Sequence, residues 1–216
     1  MIPLAIDLGA PPPLLSPEAM AEAERAERCS LASQSLKEAL PVVLGRTQAG
    51  ALKSRVSASL VAGIGQWRAE AGNLVLMGDS GAGKTSAAAY LVRRQGWLWA
   101  TESDEGLSLA RRIRWATARQ IGTARREARM GDSCSQLEAW KRASLLVLDD
   151  LGQDSNREDL FDLVDHRYAR QLPTITTTGL RLEDISARFG EELRRRLTTW
   201  KGQPCRMASD WGGGKK

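Results

Sequence analysis

The sequence predicts an α/β fold: a three-layer sandwich with a five-stranded parallel sheet between helices, preceded by a short helical segment. Three observations predict it. Short apolar stretches alternate with helix-forming ones over residues 50–210, the order that yields a parallel sheet covered on both faces. A glycine-rich turn, Gly78 to Thr85, lies between the first such strand and its helix. A wholly apolar strand, Leu145-Leu146-Val147-Leu148, ends on Asp149 and Asp150, as a buried central strand ending at a ligand site would.

The chain has 216 residues, 42% of them hydrophobic and 26% charged, with a formal net charge of +5. That suits one well-buried domain with a short appendage and is too little for two large catalytic domains. No apolar run approaches the roughly 20 residues needed to cross a bilayer, and the N-terminus lacks the basic start of a secretory leader. Cys29, Cys134 and Cys205 are odd in number and far apart, so they read as free thiols of a reducing cytoplasm. A single histidine, His166, argues against His-rich metal sites and a Ser-His-Asp hydrolase.

Residues 1–16 are rich in Pro and Leu and are expected to be extended. Ser16 and Pro17 suit the N-cap and first position of a helix to about residue 28. A second helical piece is expected over 31–40, ending before Pro41. Residues 1–47 hold six acids and four bases, a net of −2, leaving +7 for 48–216. The asymmetry predicts a partner-binding segment (1–47) and an α/β domain (48–216).

In the α/β part, 73–77 is the first strand. A helix is expected over 83–95, with Gly96 as the residue that ends it. WLWAT (97–101) is expected as the second strand, followed by an Arg-rich helix over about 105–130. The third strand is 144–149. Ser155 and Glu158 form a capping box opening a helix to about 171, with Leu160, Phe161, Val164 and Tyr168 inward. The β-branched run 173–178 is the fourth strand. Helices at about 182–188 and 191–200 and a short fifth strand at 205–209 complete the pattern.

Gly78-Asp79-Ser80-Gly81-Ala82-Gly83-Lys84-Thr85 fits G-x-x-x-x-G-K-[ST] at every fixed position, with Ser86 following. The glycines let the loop curl so that successive N–H groups converge on a phosphate, and the helix N-terminus adds its dipole. Lys84 would reach the β- and γ-phosphates, the Thr85 hydroxyl would ligate Mg²⁺, and Ser86 would touch the α-phosphate. The alternative is a glycine-rich turn that binds nothing. Asp149 sits where ligands of open sheets bind and would hold Mg²⁺ through water. Asp150 either orients the attacking water or caps the next turn.

GDSGAGKT (78–85), LLVLDDLG (145–152), DHRYARQLPTITTT (165–178) and FGEELRRRL (189–197) together resemble the AAA+ ATPases of the DnaC/IstB type. These are bacterial and phage replicative helicase loaders and related transposition helper ATPases. The resemblance covers roughly residues 50–210. Its first motif is common to all P-loop NTPases. The Asp-Asp-Leu-Gly ending and Arg167, Tyr168, Pro173, Thr174 and Ile175 are more specific. It implies ATP and Mg²⁺ as cofactors, assembly of copies into a ring or spiral, and an AAA+ core without a C-terminal helical lid. The end of the 173–178 strand resembles the sensor-1 element, which presents an asparagine. Here that place falls on Gly179, so either Thr178 supplies the hydroxyl or hydrolysis is weak. Arg196 resembles the arginine finger that acts on a neighbouring subunit's ATP, with Arg194 and Arg195 as competitors. A solvated basic helix face is the alternative for all three.

Between Gly106 and Arg142 nine bases face three acids, with Trp115 and Trp140 among them. Arginine with aromatics is the usual make-up of a single-strand DNA groove, although an amphipathic surface helix has the same composition. The leading functional expectation is a replicative helicase loader that hydrolyses ATP weakly, stimulated by DNA or assembly. Its partners would be a replicative DNA helicase, single-stranded DNA and copies of itself, in the cytoplasm of a bacterial cell. The alternative is an IstB-type transposition helper that recruits a transposase. A small-molecule kinase and a non-hydrolysing nucleotide-gated scaffold are further readings.

Overall fold

The computed structural model describes residues 16–42, 44, 49–102, 104–129, 135–152 and 157–211. The extended start and Ser155 of the expected capping box lie outside them.

Helix α1 (Pro17–Ala39) starts as expected: the Ser16 hydroxyl accepts from Ala19 N at 3.2 Å, with Pro17 in the first turn. The two expected pieces are one helix, since nothing at Cys29–Ser30 breaks it. Leu40 turns extended ahead of Pro41 and ends it. Short helices α2 (Ala49–Lys53) and α3 (Ala58–Ile64) lead into strand β1 (Leu74–Gly78).

Helix α4 (Lys84–Glu102) corrects the sequence reading: WLWAT is its last turns, not a strand, and Gly96 does not end it. Its buried residues include Leu91, Val92, Gln95, Gly96, Trp99 and Ala100, one helical stripe, while Trp97 on the other side is 53% exposed. Gly96 serves packing instead. A Cβ there would come within 2.7 Å of Leu36 Cδ1, so the missing side chain lets α1 sit close on α4.

The expected 105–130 helix is also corrected. It is three elements: helix α5 (Asp104–Arg111), strand β2 (Ile113–Thr117) and helix α6 (Ala118–Arg129). The buried Ile113 and Ala116 mimic helical spacing but belong to an edge strand, where the half-exposed Arg114 and Trp115 are tolerated. Helix α7 (Ser135–Lys141), strand β3 (Leu145–Leu151), helix α8 (Arg157–Ala169), strand β4 (Thr174–Thr178) and helices α9 (Leu182–Phe189) and α10 (Glu191–Thr198) follow. A hairpin of β5 (Thr199–Trp200) and β6 (Gln203–Pro204) precedes strand β7 (Arg206–Asp210).

The sheet has five parallel strands in the order β2-β3-β4-β1-β7. Each face is covered. Leu145 and Val147 of β3 pack with Leu74, Ile113 and Ile175 under α1–α5. Leu146 and Leu148 pack under α6–α10 with Leu160, Leu163, Phe189 and Leu193. Ala32 and Leu36 of α1, with Leu40 just past its end, join the first of these cores, whereas residues 20–27 are exposed.

Arg167 explains one of the specific motifs. Fully buried on α8, it donates to the carbonyls of Trp140 (2.8 Å), Ala143 (2.9 Å) and Pro173 (2.7 Å) and to Thr174 Oγ1 (3.0 Å). It clamps the end of α7 to the start of β4. Burial pushes its pKa down to about 9, which leaves it charged at neutral pH among its carbonyl acceptors.

Candidate nucleotide site

The glycine-rich loop joins β1 to α4 at the carboxyl ends of the strands. Two other segments hold it. Asp79 N donates to Asp210 O at the end of β7 (3.0 Å), and Ser57 N donates to Ala82 O (3.2 Å). Gly83 takes φ +87, and a Cβ on it would come within 2.2 Å of Arg55 O, so only glycine fits. Lys84 Nζ lies over the loop, 2.8 Å from both Gly78 O and Asp79 O. Burial lowers its pKa, and Asp150, Asp79 and Asp149 oppose that shift.

A cavity of about 540 Å³ opens here, lined by Ser80, Gly81, Gly83, Lys84, Thr85, Ser86, Asp149 and Asp150 together with Arg55, Thr117 and Thr177. The first eight were expected from sequence; the last three were not. At its floor Asp149 Oδ1 accepts from Thr85 Oγ1 (3.1 Å) and from Thr177 Oγ1 (2.6 Å). Burial raises the Asp149 pKa, and the Thr177 and Thr85 hydrogen bonds pull it partly back.

Asp150 projects from a β-bulge. The β3–β4 register slips between Leu148 and Leu151, and Asp150 takes φ +57. Its N–H donates to Thr177 Oγ1 at 2.9 Å, so one hydroxyl fixes both aspartates. The bulge turns the Asp150 carboxylate out of the strand into the exposed part of the cavity.

Thr178 does not reach the cavity. It is fully buried, donates to Leu151 O (2.5 Å) and accepts from Leu180 N (3.0 Å). Alternation along β4 puts its neighbour Thr177 on the cavity side instead. Gly179 is exposed beside the loop; a Cβ there would lie 3.9 Å from Gly78 O.

The arginines of α10 lie away from their own chain's cavity. Arg196 is the most enclosed: Nε meets Asp165 Oδ1 at 2.6 Å, Nη1 meets Glu192 at 2.7 Å, and the side chain is 12% exposed. Arg194 pairs with Glu191. Arg195 is exposed, with Nη1 3.3 Å from the Tyr168 hydroxyl.

The basic stretch does not form a single groove. Arg125 pairs with Asp162 (2.9 Å) and Arg126 lies 3.8 Å from Asp159, whereas Arg112 and Arg142 project at the far end of the sheet. Trp140 is core, and Trp115 packs against core. No group of three or more His, Cys, Asp or Glu able to hold a metal occurs among the described residues. None of their helices is long and apolar enough to cross a membrane.

No curated protein matches the sequence. In shape the chain is similar to a protein of Streptococcus pyogenes serotype M3 described as a primosome component (TM-score 0.50, 18% identity, 83% of this chain and 87% of that one). It is also similar to the DnaC helicase loader (TM-score 0.49, 21% identity, 64% and 79%) and to DnaI (TM-score 0.46, 20% identity, 67% and 73%). The profile of the family "IstB-like ATP binding protein" matches residues 15–196, which takes in α1 and the strands β1–β4. The chain belongs to this IstB-like ATP-binding family, among the AAA+ ATPases of the DnaC/IstB type.

Proposed function

We propose that this chain is an ATP-dependent helicase loader that binds single-stranded DNA, assembles with copies of itself and delivers a replicative helicase. The observation that carries the ATPase part is the hydrogen-bonded set Thr85–Asp149–Thr177–Asp150 in the cavity lined by the glycine-rich loop. Hydroxyl and carboxylate oxygens are the hard donors that suit Mg²⁺, which normally completes its shell with phosphate and water. Thr85 and Asp149 would hold the ion, and the ion would neutralise charge building up across the β- and γ-phosphates.

The chain's own residues do the rest. Loop N–H groups 80–85 grip phosphate oxygens, and Lys84 swings from the Gly78 and Asp79 carbonyls to the γ-phosphate. Asp150 orients the attacking water, and Thr177 keeps Asp149 and Asp150 in register. A neighbour's arginine completes the site. Arg195 is the readiest of the three on α10, because Arg196 would first have to leave Asp165 and Glu192.

Partner recognition falls to the exposed first half of α1. Ala32, Leu36 and Leu40, farther along the segment, are packed against α4 and α5 in the core. Calorimetry with MgATP tests the site: the wild type binds and Lys84→Ala does not. A pull-down offering both a replicative helicase and a transposase separates the loader from the transposition-helper reading. Capture of the transposase alone would replace the first by the second.

A further inference from the structure

A helix leaves its last four carbonyls without partners of its own. In α10 these belong to Arg195, Arg196, Leu197 and Thr198, and each accepts from outside the helix. Thr199 Oγ1 donates to Arg195 O (2.8 Å), Cys205 N to Thr198 O (2.8 Å) and Cys205 Sγ to Leu197 O (3.5 Å). The donor to Arg196 O is Asn73 Nδ2, at 3.0 Å, and the same group lies 3.3 Å from Thr199 O. Thr199 and Cys205 follow α10 closely in the chain, whereas Asn73 comes from 123 residues away.

Asn73 is buried and immediately precedes β1. Its Oδ1 accepts from the N–H of Thr174, the first residue of β4, at 3.0 Å. The two strands run side by side, Leu74 against Ile175, and their other ends carry the glycine-rich loop and Thr177. One amide therefore gives its acceptor to a strand of the nucleotide cavity and its donor to the helix that bears Arg195. An apolar side chain of the same size could fill the space, but it could not join β4 to α10. Tyr168 supports the side chain of Arg195 itself. Its ring centre lies 5.6 Å from the guanidinium carbon, and its hydroxyl accepts from Nη1 at 3.3 Å. Arg167, next to Tyr168, bonds Pro173 and Thr174, so this support is fixed to the same strand.

We propose that Asn73 is a positioning residue for the arginine that α10 lends to a neighbouring copy, with Tyr168 steering the side chain. The inference rests on the neighbour's-arginine reading above and names what aims that arginine. At a side-chain radius of about 5–6 Å, a roll of about 10° in α10 moves the tip by about 1 Å. A misplacement of that size costs on the order of 100-fold in a chemical step.

The test uses full chains and separates the copy that holds the nucleotide from the copy that lends the arginine. Turnover of MgATP is read by phosphate release for each variant alone, then mixed with an excess of Lys84→Ala chains, whose own site is empty but whose α10 is intact. Asn73→Leu keeps the size of the side chain and removes its three bonds. Thr199→Val removes the bond to Arg195 O without disturbing Asn73, and decides the matter should Asn73→Leu fail to fold. Alone, each should lower kcat at least about tenfold at unchanged KM. Tyr168→Leu should lower it about threefold, and Tyr168→Phe, which keeps the ring, should recover most of that. In the mixture all of them should reach the rate of the wild type in the same mixture, as Arg195→Ala should. An Asn73→Leu chain that stays slow in the mixture while Arg195→Ala recovers has a damaged site of its own, and the inference is overturned. It is overturned equally if Asn73→Leu and Thr199→Val turn over like the wild type while Arg195→Ala is slow. Should Arg195→Ala alone match the wild type, the neighbour's-arginine reading fails and takes this inference with it.

Discussion

Thr177 and Thr178 are adjacent, equally β-branched and both buried, yet they should behave as opposites when changed to valine. Thr177 donates to Asp149 at 2.6 Å and accepts from Asp150 N at 2.9 Å. Valine keeps the shape and removes both bonds. The first goes to a carboxylate and is worth about 1.5–3 kcal/mol; the second is a neutral bond worth about 1 kcal/mol. Water reaching the Asp149 carboxylate from the cavity offsets part of this, so a loss of about 2 kcal/mol is expected by urea denaturation. The loss should depend on pH with a definite sign. The Asp149 pKa is raised above its ordinary 3.8, so the folded state holds its proton to higher pH than the unfolded chain does. That group therefore costs stability as pH rises above 3.8, and removing a hydrogen bond to the charged form raises its pKa further. The gap between wild type and Thr177→Val should accordingly be full at pH 7 and narrow as the pH falls toward 4. Turnover of MgATP should drop more than about tenfold, because a misplacement worth 1.4 kcal/mol in the transition state is enough. Thr178→Val loses bonds to Leu151 O and Leu180 N, so it should destabilise by about 1–2 kcal/mol while leaving nucleotide affinity and turnover per folded molecule unchanged. If Thr178→Val abolished turnover and Thr177→Val did not, the placement of the hydroxyl in the site would be wrong.

Arg167→Met should destabilise by about 3 kcal/mol in urea, since the carbonyls of Trp140, Ala143 and Pro173 lose their donor, part of this being offset by removal of a buried charge. Arg195→Ala should cut turnover in the assembled state with no change in melting temperature or MgATP affinity; Arg196→Ala should instead lower thermal stability by stranding Asp165 and Glu192. Deleting residues 1–27 should abolish helicase capture and keep MgATP binding, whereas deleting 1–47 should also lower the melting temperature, because Ala32, Leu36 and Leu40 leave the core. Gly179→Asn should fold normally, a Cβ there making only an ordinary contact, and should raise the ATPase rate measured by phosphate release.

What was legible in the sequence was whatever one chain segment decides alone. The glycine motif fixes a loop because its spacing and the strand and helix flanking it are local. The strand read at 144–149 is legible because its apolar run Leu145–Leu148 suits the two buried faces of a parallel sheet, and it extends to Leu151 in the fold. The error at 97–101 had the opposite origin. A tryptophan-rich pentapeptide after a glycine has strand composition, and only the seat of Leu36 against Gly96 shows that the glycine serves an interhelical contact. The β2–α6 junction did leave a signal. Thr117 and Gln120 form a reciprocal cap, Thr117 N to Gln120 Oε1 at 2.8 Å and Gln120 N to Thr117 Oγ1 at 3.1 Å, and the pattern Thr-x-x-Gln ahead of Ile121 announces a helix start inside the stretch read as one long helix.

In the site, the residues that were missed are those whose position depends on pairing between strands. Which of two adjacent threonines faces the nucleotide is set by the β3–β4 register, and that register contains a bulge at Asp149–Asp150 that no periodicity in either strand encodes. The bulge also accounts for the division of labour between the two acids. Without it, strict alternation would send Asp150 to the face opposite Asp149, into the apolar core beneath α8. With it, one carboxylate stays buried on two hydroxyls while its neighbour reaches solvent in the same cavity. The two acids share one cavity in this way because Thr177 satisfies the backbone N–H that the bulge frees. Thr177 is therefore the residue on which the catalytic reading of Asp150 depends.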